Sequence, residues 1–170
     1  MSDNHVHPDP FQAAVVRRPG GAFELETVRL NTLQQHEVLV RIVATGMCHT
    51  DMVARDQLYP VPQPVVLGHE GAGVVVAVGQ QVHKVAEGDH VVLTYLSCGT
   101  CRPCLEGSPA SCEKFNELNF SGQRRDGSHA LCGEDGQLLH DRFFGQSSFA
   151  AFAVVNHLLP PLRWSISVMW

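Results

Sequence analysis

The sequence contains no apolar run near the roughly 20 residues needed to cross a bilayer. Its polar start, MSDNHVHPDP, lacks the charged-then-apolar pattern of a secretory leader. It has no basic cluster, and its net charge is −5 over 170 residues, which argues against a nucleic-acid partner. No internal repeat occurs. The nearest approach to a dinucleotide fingerprint is Gly71-Ala72-Gly73, but Val76 occupies the last glycine position and a β-type run follows where a helix should open. No cysteine follows Cys132. These absences leave a soluble cytoplasmic protein with no membrane partner. In that reducing compartment, clustered cysteines are more often metal ligands or catalytic groups than disulfides.

What is present fits a globular protein: 44% of residues are apolar and 17% charged, too apolar for a disordered chain. The pattern is mainly β. Strands are expected over 11–18 and 22–30, separated by Pro19-Gly20-Gly21, and over 36–45, within 64–79, over 89–96 and over 149–155. One short helix is expected after Cys48, through HTDMVARD, and Pro60, Pro62 and Pro64 follow as an extended crossover. Residues 113–148 read as loops with short strands. Short strands between glycine and proline turns suggest a barrel or sandwich. A flexible N-terminus is expected over 1–10, one domain over 11–156 and an atypical tail over 157–170, where Pro160-Pro161 breaks regular structure and the end has an unpaired character.

Four of the six cysteines fall within CGTCRPCLEGSPASC, spaced C-x2-C-x2-C-x7-C at Cys98, Cys101, Cys104 and Cys112. Two-residue gaps let successive thiolates curl toward one ion. Gly99, Pro103 and Gly107 supply tight turns, and the longer last segment closes a tetrahedral zinc site. A closed four-thiolate cage offers no open position, so its role is structural. Zinc binding of this kind contributes on the order of 10 kcal/mol to holding such a loop. An iron–sulfur cluster and free or oxidised thiols are the alternatives. A redox pair would need only two cysteines beside a βαβ unit.

A second group is less conspicuous. GMCHTD and LGHEGAG place Cys48 and His69 21 positions apart, with Asp51 and Glu70 beside them. A catalytic zinc takes three protein ligands and keeps a fourth position open, and its histidine donates the other ring N–H to a partner such as a carboxylate. Asp51 is placed to accept that bond. Equally, a lone cysteine is commonly a buried small hydrophobe.

Taken together, ATGMCHTD, the G-H-E-x2-G-x5-G-x2-V run from Gly68 to Val82, EGDHVV and the four-cysteine lobe (95–113) resemble the zinc-dependent medium-chain alcohol dehydrogenases, over about residues 11–156. FFGQSSFA (143–150) and NFSGQRRDGSHAL (119–131) are similar to the aryl-alcohol, benzyl-alcohol branch. The resemblance implies a GroES-like β-barrel. It implies that Cys48 and His69 bind a catalytic zinc, that Glu70 approaches the metal during ligand exchange, and that Thr50 passes the alcohol proton outward. His49 would lie near the cofactor pyrophosphate, and Cys98, Cys101, Cys104 and Cys112 would hold a structural zinc. Cys132 matches no ligand. Thr94 and Tyr95 are candidates for the pocket wall. The zinc would act as a Lewis acid toward the alcohol, with hydride passing to NAD; alcohol and aldehyde are the small-molecule partners.

Two departures stand out. Val53 occupies the position where some members carry a relay histidine. The resemblance also implies a Rossmann domain, a third catalytic ligand and the main dimer surface of a homo-oligomer, and these are not expected within the 170 residues. The tail from His157 resembles a truncated or frame-shifted end. The expectation is a catalytic domain that binds one zinc tightly and oxidises alcohols poorly or not at all. A stand-alone zinc-binding or protein-interaction module, and a redox-sensing zinc lobe, are the competing classes.

Overall fold

The structure, a computed structural model, describes residues 10–156 and the backbone of 166 and 167. The expected N-terminal segment up to residue 9 lies outside the described residues. So does the tail apart from 166 and 167, including Pro160, Pro161, Trp164 and Trp170.

The chain is mainly β. Nine strands occur among the described residues: β1 (Phe11–Val16), β2 (Glu24–Leu30), β3 (Glu37–Gly46), β4 (Val65–Val66), β5 (Glu70–Val78), β6 (His90–Leu93), β7 (Leu131–Gly133), β8 (Phe152–Asn156) and β9 (Ile166–Ser167). Three short helices accompany them: α1 (His49–Arg55), α2 (Arg102–Leu105) and α3 (Phe115–Phe120). The strands build a four-stranded sheet in the order β4-β1-β2-β7 and a five-stranded sheet in the order β8-β3-β5-β6-β9. Every pairing between these strands is antiparallel. Gly71-Ala72-Gly73 lies inside β5 and opens no helix.

Period-two burial explains the strands. In β1 and β6 buried and exposed positions largely alternate, as a sheet with one face on the core requires. The first four residues of β3 are all buried, because both its faces are covered: Val38 and Val40 pack in one apolar cluster, Leu39 in another with Ala130 and Val154, and Glu37 pairs with Arg124. Val15, Val16, Val28, Val65, Leu67 and Phe143 lead the core beneath the first sheet. Val38, Val40, Val75 and Val91 lead the core beneath the second. Fully burying one such valine or leucine is worth about 1.5–3 kcal/mol.

Buried charge joins the loops to this framework. Glu37, with no exposed surface, takes a bidentate pair from Arg124 at 2.8 Å on each oxygen and lies 3.4 Å from Arg142. Arg124 also donates to the carbonyls of Thr32 and His129, so its fork is saturated. Asp141 accepts the N–H groups of Ala130 and Leu131 with one oxygen, while its other oxygen is buried without a partner.

Three expectations need correcting. Residues 113–148 contain α3, which spans only six residues and is too short to show a helical period. It is fixed by buried Asn119, whose side chain bonds the N–H and C=O of Leu96 and the C=O of Phe115. Residues 166 and 167 are paired, with Val92 and Leu93 opposite them in β6. The strands over 11–18, 22–30 and 89–96 are shorter than the apolar runs, because Pro19-Gly20-Gly21 and the entry to the cysteine lobe take up their ends.

Candidate functional site

The β3–β5 register builds the first site. Gly46 pairs with Glu70 at the end of the ladder, so the residues just past β3 face those just ahead of β5. Cys48 and His69 are thereby brought together, with Cys48 Sγ 3.3 Å from His69 Nε2. Donors at about 2.3 Å (S) and 2.0–2.1 Å (N) from one tetrahedral ion would stand about 3.6 Å apart. The pair therefore fits such an ion.

Asp51 organises the pair. Cys48 is the N-cap of α1, and Asp51 completes a capping box by accepting the Cys48 N–H at 3.0 Å. Its other oxygen accepts the Gly68 N–H at 3.1 Å and faces His69 Nδ1 at 3.1 Å. A carboxylate only accepts, so Nδ1 carries the proton and Nε2 turns a lone pair toward Cys48. Gly68 reaches Asp51 in a left-handed conformation (φ 91°), and a Cβ there would meet the backbone N of Phe149 at 2.5 Å. Burial opposes a charged His69, but the Asp51 hydrogen bond and charge outweigh it and raise its pKa. Hydrogen bonding from Thr50 lowers the Cys48 pKa, with burial working against it; the Thr50 N–H donates to Sγ at 3.3 Å.

Donor atoms of Cys48, Asp51 and His69 all lie within 4.8 Å of one another. Glu70 is not in that group. It opens β5 as an exposed residue with its carboxylate packed over Gly46. His49 is the exposed first residue of α1, and Thr50 and Val53 follow it on the same helix, half-buried.

The second site is the lobe. Its four sulfurs lie within 4.8 Å of one another, with Cys101 to Cys104 at 3.4 Å, Cys101 to Cys112 at 3.9 Å and Cys98 to Cys104 at 4.0 Å. Thiolates around one tetrahedral zinc stand about 3.8 Å apart, so this donor set fits that ion. Burial works against a Cys98 thiolate, but N–H groups of Thr100 and Cys101 point at it and bring its pKa down to about 6. Burial and the neighbouring Cys101 sulfur push Cys104 up to about 12. Four crowded sulfurs divide into ionised and protonated members unless a cation balances them. Cys132 stands apart on β7, with its thiol against the Arg29 carbonyl.

An aromatic cluster flanks His69. Phe144 stacks on the imidazole with centroids 4.6 Å apart at 24°. Phe120 and Phe115 lie 5.1 and 6.1 Å from Phe144, Tyr59 lies 4.7 Å from Phe120, and Tyr95 lies 5.3 Å from Phe115. Of these, only Tyr95 is a candidate from sequence. Phe143-Phe144 lie in FFGQSSFA, but nothing in its spacing shows a ring laid on His69.

Comparison with known proteins adds a family. The alcohol dehydrogenase GroES-like domain model matches residues 34–159. A geraniol dehydrogenase from Castellaniella defragrans is 49% identical over 148 residues, which is 86% of this chain and 39% of that protein. Two solved structures superpose with TM-scores of 0.85. An alcohol dehydrogenase zinc-binding domain protein from Burkholderia ambifaria is 54% identical, covering 88% of this chain and 40% of the other. A benzyl alcohol dehydrogenase from Acinetobacter calcoaceticus is 45% identical, covering 95% and 41%. The chain thus spans about two fifths of the length of the relatives it matches.

Proposed function

This chain belongs to the alcohol dehydrogenase family through its GroES-like domain, and from that premise we propose that it is the catalytic domain of a zinc-dependent enzyme that oxidises apolar, aryl or allylic alcohols to aldehydes with NAD. The observation that carries this reading is the convergence of Cys48 Sγ and His69 Nε2 at 3.3 Å, with Asp51 holding the far side of the imidazole. A zinc held by Cys48 and His69 would supply Lewis acidity toward the hydroxyl oxygen.

The chain's own groups do the rest. Asp51 keeps the proton on Nδ1 and so keeps Nε2 free as a donor. The Thr50 hydroxyl can hold the alcohol proton and pass it on without itself becoming charged. Val53 has no proton to relay, so the path outward from Thr50 runs through water or a ligand hydroxyl. His49, exposed at the start of α1, can donate to a phosphate. Glu70 supplies a carboxylate at the edge of the site. Cys98, Cys101, Cys104 and Cys112 hold a structural zinc and leave no open position.

Half-buried Phe144, stacked on the His69 ring, favours a flat apolar substrate, since ring contacts add to the gain from burial. The names of the relatives, geraniol and benzyl alcohol dehydrogenases, agree with that class. The reading carries with it a cytoplasmic, homo-oligomeric enzyme. No helix among the described residues is long and apolar enough to cross a membrane.

The test is cobalt substitution of the full chain. Benzyl alcohol and geraniol should shift the absorption bands of cobalt that depend on Cys48, and ethanol should shift them less. Bands indifferent to all three alcohols at millimolar concentration would overturn the reading.

A further inference from the structure

The segment that follows Asp141 is strained. Arg142, Phe144 and Ser147 have φ of 70°, 49° and 51°, left-handed values that side chains with a Cβ avoid. Gly145 between them is left-handed too, at 71°. Strain of this kind persists only where the surroundings hold it, and it concentrates at functional sites. Here it lets three successive polar residues, Gln146, Ser147 and Ser148, point inward; they are 1%, 2% and 0% exposed.

These residues bond successive stretches of the chain from Val66 to Gly71, and only Gln146 reaches His69 with its side chain. The Ser147 hydroxyl donates to the Val66 carbonyl at 2.6 Å. The N–H groups of Phe149 and Ser148 donate to the carbonyls of Leu67 and Gly68 at 3.0 Å. The Gln146 amide then takes the next two groups. Its Nε2 donates to the His69 carbonyl at 2.8 Å, and its Oε1 accepts the Gly71 N–H at 3.1 Å. Pairing of β5 with β6 runs only from Val74 to Ala72. The edge at His69–Gly71 has no strand there, and one side-chain amide supplies both a donor and an acceptor in its place. Phe144, from the same segment, covers the His69 ring.

We propose that Gln146 is a positioning residue for His69, fixing the backbone so that Nε2 meets Cys48 Sγ. The inference rests on the proposed metal site at Cys48 and His69. Losing a group that orients a metal ligand typically weakens metal binding about 10–100-fold.

The test is a cobalt(II) titration of the full chain with the four-cysteine lobe loaded with zinc, following the near-ultraviolet band that vanishes in Cys48→Ser. Gln146→Met should weaken that binding about 10–100-fold. Ser147→Ala, which removes an equally buried polar group from the same segment but leaves His69 untouched, should lower thermal stability with less than a threefold change in cobalt affinity. If Gln146→Met does not fold by circular dichroism, Gln146→Glu is read by the same criterion; ionised, it keeps the acceptor for Gly71 and lacks the donor for His69. Unchanged affinity in the Gln146 variant, or equal weakening in Ser147→Ala, overturns the positioning role alone. Absence of any Cys48-dependent band in the wild type overturns the metal-site reading and this role with it.

Discussion

His69 Nε2 stands 3.3 Å from Cys48 Sγ because the β3–β5 ladder ends at Gly46 opposite Glu70. Two residues 21 apart in sequence thus share one corner of the fold. Asp51, three residues after Cys48 in α1, fixes both: it caps the helix that Cys48 begins and accepts a hydrogen bond from His69 Nδ1–H. Local helix chemistry and long-range strand register specify the same point.

Asp51→Asn should weaken the Cys48–His69 site. One amide oxygen cannot serve the Cys48 N–H on one side and the Gly68 and His69 N–H groups on the other, as two carboxylate oxygens do, so a donor faces a donor at one of them. Cobalt affinity at the Cys48-dependent site should fall about 10–100-fold, while the four-cysteine site binds as before. Competition against a metal indicator measures both.

Cys98→Ser should remove one metal equivalent and loosen the lobe without unfolding the sheets. The lobe has little core of its own; its buried Cys104 and Cys112 pack against Leu118 of α3. Amide exchange read residue by residue should show Leu105, Gly107 and Cys112 losing protection while β3 and β5 keep theirs. Collapse of the whole chain would show that the lobe is integral to the barrel core.

Much of this was legible beforehand. The four-cysteine spacing predicts the lobe, the segments between glycine and proline turns predict most of the strands, and a short helix is expected after Cys48, where α1 lies. Asp51 as the acceptor for His69 followed from the need of a metal-binding imidazole for a partner. Other features were hidden for physical reasons. α3 is too short for a period to emerge, and Asn119 fixes it through contacts 23 residues away in sequence. Gln146 replaces a strand with a side chain, an arrangement that no local pattern encodes. The Glu37–Arg124 pair joins residues 87 apart; in sequence, each is one more charge among surface charges.

Arg124→Met tests that pair. Removing the guanidinium leaves Glu37 buried, with Arg142 as its remaining cation at 3.4 Å. Breaking one side of a buried ion pair costs about 3–5 kcal/mol. Urea unfolding should show a lower midpoint with an unchanged slope.

Asp141 should impose a pH dependence. Burial raises its pKa to about 6, well above the ordinary carboxylate value of about 3.9, against the pull of Arg142 and two backbone N–H groups. With the folded value above the unfolded one, the group's contribution to stability is fully present below about pH 4. It is lost as pH rises through 6, by roughly 2–3 kcal/mol. Asp141→Asn does not titrate, so the stability difference between it and wild type should change by that amount between pH 4 and 7. A flat difference would show that Asp141 is ionised throughout.

The most direct test is a cobalt titration of the full chain beside Cys48→Ser and Cys98→Ser. Two transitions are expected in the wild type, a tight one from four thiolates and a weaker one from Cys48 and His69. Cys48→Ser should abolish only the weaker and Cys98→Ser only the tighter. Retention of both transitions in Cys48→Ser would contradict the account.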